Sequence, residues 1–535
     1  MARVPDLQFS LQSHWPPLAW LARLDASSNT VSVLHGAAVE IADDWFGEAV
    51  WDGEYAAGGI DRTDIVAGSA GRRRGSTLTF VSSGSTVDRL QTFTRGHTAW
   101  VSNSLACLLA AVGAHVDPTY RRYYDDAATI IRGLNRYKRS LSTSLGPVDL
   151  VYFDNLTWDG TSLNREPKPV PPRDFSTFEK YRTFLDESLA AVAANSADSA
   201  RRFPLRLLGT LSSGYDSTTV SVLAKAHGLT EVLTVDRARG GDEDSGATVA
   251  AMLGLRAHRI SRDAWRNADR PEVPFIASYS SAEDLPFKAA EELLRGRVLL
   301  TGYHGDKVWG RSSPDHPIDL SDQIVRGDPS GLALTEYRLW VPFINCAVPF
   351  WGARQIGDIH ALSCSEEMRP WDVSGPYSRP ICRRIGEEAG LPREAFGTRK
   401  RAVTVNPFAG NRELLTPGAL PDYLEWIRQN RTAWLRRGKL PPVASSRVHS
   451  WVNRCYVRWT DFISPLRTKR FVWRFVNAKY HPRYLASYLF PWALDRAMQV
   501  YRGGAPVSRY LTEPTAAAEN KRNPEVAADR TPHRS

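Results

Sequence analysis

The sequence predicts an α/β protein: a β-rich N-terminal region, then a parallel sheet covered by helices, then a helical end. Three observations carry that expectation. Residues 205–301 alternate short apolar runs with helical patterns, and such alternation yields a parallel sheet through right-handed crossovers. Residues 1–168 instead carry β-branched and aromatic runs bounded by Gly, Ser and Asp. Between Leu205 and Gly228 an apolar run breaks into Ser212-Ser213-Gly214-Tyr215-Asp216-Ser217 and then resumes with helical spacing. Strand, small-residue loop, helix is the build of a phosphate site, because glycine and serine admit an anion to backbone N–H groups at a helix N-terminus. Asp216 would repel a bare phosphate, which points to a bridging Mg²⁺.

Taken in order, the β-rich region has strand runs at 77–81, 99–101 and 148–153, with one helix over 104–112. Lys168-Pro-Val-Pro-Pro-Arg173 reads as a linker, with three prolines in six residues. Ser176-Thr-Phe-Glu179 has the form of a capping box, and Phe178, Tyr181, Leu185, Leu189 and Val192 follow at helical spacing. Beyond the 212–217 loop come strands at 231–235, 256–260 and 297–301, with a helix over 242–253 stopped by Gly254. Ligands gather at the carboxyl ends of parallel strands, so the loop, the Val235-Asp236 strand end and Gly302 onward are expected to share one site. Residues 421–510 read as helical, and the Pro/Ala/Glu/Lys-rich tail from Thr512 as disordered. The expected domains are therefore 1–168, 176–405, a basic helical extension over 406–510, and a tail over 511–535.

With 535 residues the chain is too long for one core. No run of 18 apolar residues exists, so no transmembrane segment is expected, and the N-terminus lacks the build of a signal peptide. The five cysteines are scattered without metal-ligand spacing, which suits a reducing cytoplasm. The net charge of +10 is uneven: residues 427–509 hold 17 Lys/Arg against two acids. Tryptophans 426, 434, 451, 459, 473 and 492 lie among those arginines. The segment suits an anionic partner (nucleic acid, acidic glycan or membrane surface) or equally a helix with a solvated face.

Ser-Ser-Gly-Tyr-Asp-Ser resembles the Ser-Gly-Gly-x-Asp-Ser pyrophosphate loop of the asparagine synthetase superfamily, with Ser213 in place of the first glycine. It is not a Walker loop, since no Gly-Lys-Ser/Thr follows. The resemblance continues in fragments through Thr301-Gly-Tyr-His-Gly-Asp306, Tyr337–Phe343, Tyr377–Cys382, Gly390–Glu394 and Thr398-Arg-Lys400, and includes Asp242-Glu243. It implies an adenine-nucleotide α-hydrolase-like synthetase region preceded by a glutaminase-like (Ntn-hydrolase-like) region. The family's glutaminase nucleophile is the cysteine that follows the initiator Met; residue 2 here is Ala, no cysteine lies before Cys107, and glutamine hydrolysis is not expected. The N-terminal region then reads as a degenerate glutaminase kept as a scaffold.

What the resemblance implies chemically is an ATP-dependent, AMP- and pyrophosphate-forming amide ligase. Leu211, Ser212, Ser213, Gly214, Tyr215, Asp216, Ser217, Val235 and Gly302 would bind ATP, and Asp216 with Asp306 would hold Mg²⁺. A substrate carboxylate would become an acyl-adenylate and then be opened by an amine or ammonia. Lys400, with Arg399 and Arg401 as register alternatives, would neutralise the oxyanion. Tyr303 stands where the family's first Glu stands in asparagine-forming members, as in the β-lactam synthetase branch. Glu336, 30 residues after Asp306, would be its proton-relay partner, or else a buried partner of Arg338 or Lys307. The carboxylate substrate is left open as a small molecule, peptide or sugar. The alternatives are an intramolecular cyclase of β-lactam or lasso type, amidation of an acidic polysaccharide, and a non-catalytic nucleotide-binding protein. His304 lies within the second motif, as a substrate contact or a satisfied core histidine. Trp309, Trp340, Trp351 and Trp371 would line a pocket or, as is commoner, fill the core.

Overall fold

The computed structural model describes residues 5–503 except 29, 238–244, 269, 281, 313–316, 374–376, 397–414, 443–450, 452–454, 456–457 and 459–484. Its N-terminal region is two packed sheets. A seven-stranded sheet runs in the order Asp6–Leu11, Thr30–His35, Trp20–Asp25, Thr98–Ser102, Leu90–Arg95, Gly146–Val151, Ser140–Thr143. A six-stranded sheet runs Leu163–Glu166, Asn155–Trp158, Thr77–Val81, Val66–Arg74, Trp45–Trp51, Glu40–Ile41. Only the pair of Asp6–Leu11 with Thr30–His35 is parallel; the other pairs of these sheets are antiparallel. Apolar side chains alternate inward along these strands, as their period of two requires, and Trp20, Val33, Phe46, Phe80, Val101 and Trp158 meet between the sheets.

The parallel sheet is ordered Arg256–Ile260, Glu231–Val235, Arg206–Thr210, Arg297–Thr301, Phe343–Ala347. All four pairs are parallel. The last strand is fully buried and was not among the expected strands. The winding direction reverses between Arg206–Thr210 and Arg297–Thr301. That topological switch point opens a crevice at the strands' carboxyl ends, and the 212–217 and 302–306 loops both rise from it.

Helical details shift modestly from the sequence reading. The helix expected over 242–253 is described as Ala247–Met252, while Asp242 and Glu243 lie outside the described residues. The Phe178–Ala197 helix buries Phe178, Tyr181, Leu185, Leu189 and Val192, but its cap is Thr177, not Ser176: the Thr177 hydroxyl accepts from the Lys180 N–H at 3.4 Å. The proline stretch before it is tied down, because Lys168 is buried and donates to the Ser82 carbonyl and to Asn155. Arg173 at its end pairs with Asp64 at 2.6 Å.

One continuous core joins the N-terminal sheets to the parallel sheet and to the C-terminal helix. A buried triad crosses the junction: Arg338 donates to Glu48 at 2.5 and 3.1 Å and to Asp88 at 3.0 Å. Removing one member of such a group strands a buried charge, at a cost of about 3–5 kcal/mol. The Leu489–Tyr501 helix packs against both Leu105–Val112 and Val273–Ala277, so this end of the basic extension belongs to the common core. Trp426, Trp434 and Trp492 are buried, whereas Trp451 is exposed and Trp459 and Trp473 lie outside the described residues. The tail over 511–535 also lies outside them. Among the described residues, no helix is long and apolar enough to cross a membrane.

Candidate functional site

A cavity of about 220 Å³ opens at the switch point. Leu211, Ser212, Gly214, Asp216, Ser217, Val235, Gly302, Tyr303 and Asp306 all line it. Leu233, Val235 and Ile260 form an apolar wall from the neighbouring strands. Ser213 and Tyr215 are not on the wall. Tyr215 turns inward, stacks on Phe396 at 5.0 Å and accepts a hydrogen bond from Arg383 at 2.6 Å. As the first residue of its helix, its buried side chain anchors the loop to the core.

The loop is held by its own serines. The Ser212 N–H donates to the Ser217 hydroxyl at 3.1 Å, and the Gly214 N–H donates to the Ser212 hydroxyl at 3.1 Å. Gly214 then opens the Tyr215–Lys225 helix, which brings Asp216 into its first turn. The second motif packs directly on this turn. A Cβ at Gly302 would lie 2.7 Å from the Asp216 carbonyl carbon and the Ser217 nitrogen, so only glycine lets the loops approach this closely. Asp216 and Asp306 thereby reach one cavity from two strand ends.

Glu283, Asp284 and Asp328 also line it, while no Lys or Arg does among the described lining residues. A polyphosphate entering such a cavity needs a cation. The donor set fits Mg²⁺: two carboxylates from the protein, the remaining positions supplied by phosphate and water, as that ion prefers. Among the described residues no group of three or more His, Cys, Asp or Glu converges to hold a metal. Asp216 and Asp306 would hold the ion, whose charge would offset that of a departing pyrophosphate.

The expected partnership of Tyr303 with Glu336 is absent. Tyr303 donates to Asp284 at 3.1 Å, a residue 19 positions upstream. Asp284 is buried and also accepts from the N–H groups of Gly331 at 2.9 Å and Ala333 at 3.2 Å. Burial raises its carboxyl to about 6 despite those hydrogen bonds. Burial and the Asp284 charge push the Tyr303 phenol well above its ordinary range. The Tyr303 hydroxyl therefore holds its proton, shared in a hydrogen bond with Asp284. Glu336 is committed elsewhere: it accepts from Ser104 at 2.7 Å, Tyr501 at 2.7 Å and Trp340 at 3.0 Å. It sits at the junction of the N-terminal helix and the C-terminal helix, and neither Arg338 nor Lys307 is its hydrogen-bond partner. Sequence reasoning missed Asp284 because nothing local marks it; Glu283-Asp284 before Leu-Pro-Phe is unremarkable as a string.

His304 lines the cavity, is 6% exposed, and neither ring nitrogen has a hydrogen-bond partner. Its backbone is left-handed (φ 76°), and its ring stacks on Phe350 at 4.7 Å. Burial drives its ring pKa down to about 3, with Arg326 adding to the effect. Trp309, Trp340 and Trp351 are core residues, and neither they nor the half-buried Trp371 line the cavity. Lys400, Arg399 and Arg401 lie outside the described residues, as does Ala2. Cys107 is buried in the Leu105–Val112 helix, and burial together with the Glu336 charge pushes its thiol well above the ordinary value. No family model matches this chain, and no curated protein matches it in sequence.

Proposed function

We propose that this chain is an ATP-dependent, AMP-forming amide ligase of the asparagine synthetase type, working in a reducing cytoplasm without glutaminase activity of its own. The observation that carries the proposal is that Asp216 and Asp306, from two loops at the switch point of a parallel sheet, line one cavity. The apolar strand ends at Leu233, Val235 and Ile260 would flank the adenine, and the Ser212–Ser217 loop the phosphates. A substrate carboxylate oxygen attacks the α-phosphorus; its bond to the bridging oxygen breaks and pyrophosphate leaves. An amine nitrogen then attacks the acyl carbon, AMP departs, and the amine proton passes through Tyr303 to Asp284. Lys400, expected from the sequence to neutralise the developing oxyanion, lies outside the described residues. The degenerate-glutaminase reading of the N-terminal region is part of the same proposal, supported by its buried, unactivated Cys107.

Titration with a non-hydrolysable α,β-methylene ATP tests the reading. Binding should require Mg²⁺ and be lost in Asp306→Asn. Equal binding without the ion, or in that variant, overturns it.

A further inference from the structure

We infer that the turn at 435–440 is a membrane-surface contact, which docks on a bilayer containing anionic lipid. The inference stands apart from the ligase reading, since neither needs the other.

The turn is built to project. The Leu420–Gln429 and Arg431–Arg436 helices meet at Asn430, and Trp434 pins the second helix to the core. Trp434 is fully buried, edge-on to Tyr488 at 5.2 Å and to Trp426 at 6.4 Å. Its carbonyl accepts from the N–H groups of Arg437 at 3.0 Å and Lys439 at 2.9 Å, and the Gly438 N–H donates to the Leu435 carbonyl at 2.9 Å. Gly438 has a φ of 63°, the left-handed conformation that closes such a helix end. The backbone is thus folded back on its anchor, while every residue from 435 to 440 is exposed.

What the turn presents is two leucines around three cations. Leu435 is 51% and Leu440 64% exposed, with Arg436, Arg437 and Lys439 between them. Arg431, one turn earlier, is exposed as well. Asp117 pairs with Arg437 at 2.7 Å and offsets one of these charges. A helix C-terminus attracts basic residues through its dipole, which accounts for the cations and leaves the leucines unexplained. Trp451, a third large apolar side chain of the same basic segment, is 62% exposed.

An anionic bilayer answers both features. Aliphatic side chains gain by leaving water for the acyl boundary, and flanking cations gain from the headgroups. The 17 Lys/Arg against two acids over residues 427–509 add to the attraction. Nucleic acid would reward the cations equally, but it stacks its bases on aromatic faces. Trp426, Trp434 and Trp492, which the sequence interleaves with those arginines, are buried instead. The exposed Trp451 fits the lipid reading too, since indole suits a bilayer interface. No helix among the described residues is long and apolar enough to cross a membrane, so the contact is one of surface docking.

Co-sedimentation of the full chain with vesicles of phosphatidylcholine, and of phosphatidylcholine with one-third phosphatidylserine, tests the inference. The anionic vesicles should bind the chain about tenfold more tightly or better. Leu435→Ser with Leu440→Ser should weaken that binding about tenfold or more at an unchanged unfolding midpoint. Leu435→Trp with Leu440→Trp should keep or strengthen it. Arg436→Gln and Lys439→Gln should each weaken it about fivefold. Equal binding to the two kinds of vesicle overturns the inference. So does parental vesicle binding by the double serine variant, or a lowered midpoint in it, which would mean that the leucines pack within the chain. A single-stranded oligonucleotide that displaces the anionic vesicles, and binds the double serine variant as it binds the parent, assigns the turn to nucleic acid and overturns it too.

Discussion

Gly305 stands against Asp216: a Cβ at Gly305 would lie 2.7 Å from the Asp216 carboxyl carbon and 2.8 Å from its Oδ1. The two motifs of the site, 90 residues apart along the chain, are locked together by that absence of a side chain.

Gly305→Ala should therefore inactivate without unfolding. Gly305 is the first residue of the short Gly305–Val308 helix, where alanine would otherwise be tolerated. The contact works against it, because Asp216 must move, and displacement of about 1 Å in a positioned group costs about 10² in rate. Thermal unfolding and turnover measured side by side check this; full activity in Gly305→Ala would show that the approach is not needed.

Tyr303→Phe should leave adenylate formation intact and slow amide formation by about 10²–10⁴, the usual worth of acid–base assistance. Asp284→Asn should act in the same way. With the Asp284 carboxyl at about 6, amide formation by the parent should fall as pH drops below that value. The linkage has the opposite sense for stability. A carboxyl raised in the folded state favours folding fully below its unfolded value of 3.8, and that contribution disappears as pH rises through about 6. The change is about 3 kcal/mol at most, and Asp284→Asn should flatten it. Unfolding midpoints from pH 3.5 to 7 provide the measurement.

Glu336→Gln should lower stability and spare the chemistry. Ser104, Trp340 and Tyr501 all donate to the carboxylate, and an amide group cannot accept from all three. About 1–3 kcal/mol is expected from the disrupted set. A large loss of amide formation per folded molecule, with an unchanged unfolding midpoint, would restore Glu336 to the site.

Glutamine should not be hydrolysed by the purified chain. A glutaminase needs a thiolate, and the Cys107 thiol is buried and held protonated. Glutamate release, followed by coupled assay, would show otherwise.

What could be read in advance was what local physics dictates. Strands buried on both faces appear as short apolar runs, so 206–210, 231–235 and 297–301 were legible. Phe343–Ala347 was not, because Asn345 interrupts its short apolar run. The second loop was legible because its close approach to Asp216 and Ser217 demands Gly302 and Gly305. The cap at Thr177 and the inward turn of Tyr215 depend on which way a side chain faces, which a motif does not record. The Tyr303 partner depends on tertiary folding: spacing suggested Glu336, but the chain brings Asp284 to it and closes Glu336 under Tyr501, 165 residues away.

The most direct test follows the phosphorus. ATP labelled at the γ-phosphate is incubated with the chain, Mg²⁺, and panels of carboxylates and amines. The account predicts labelled pyrophosphate with AMP in equal amounts, and none from Asp216→Asn. Labelled orthophosphate with ADP would contradict it.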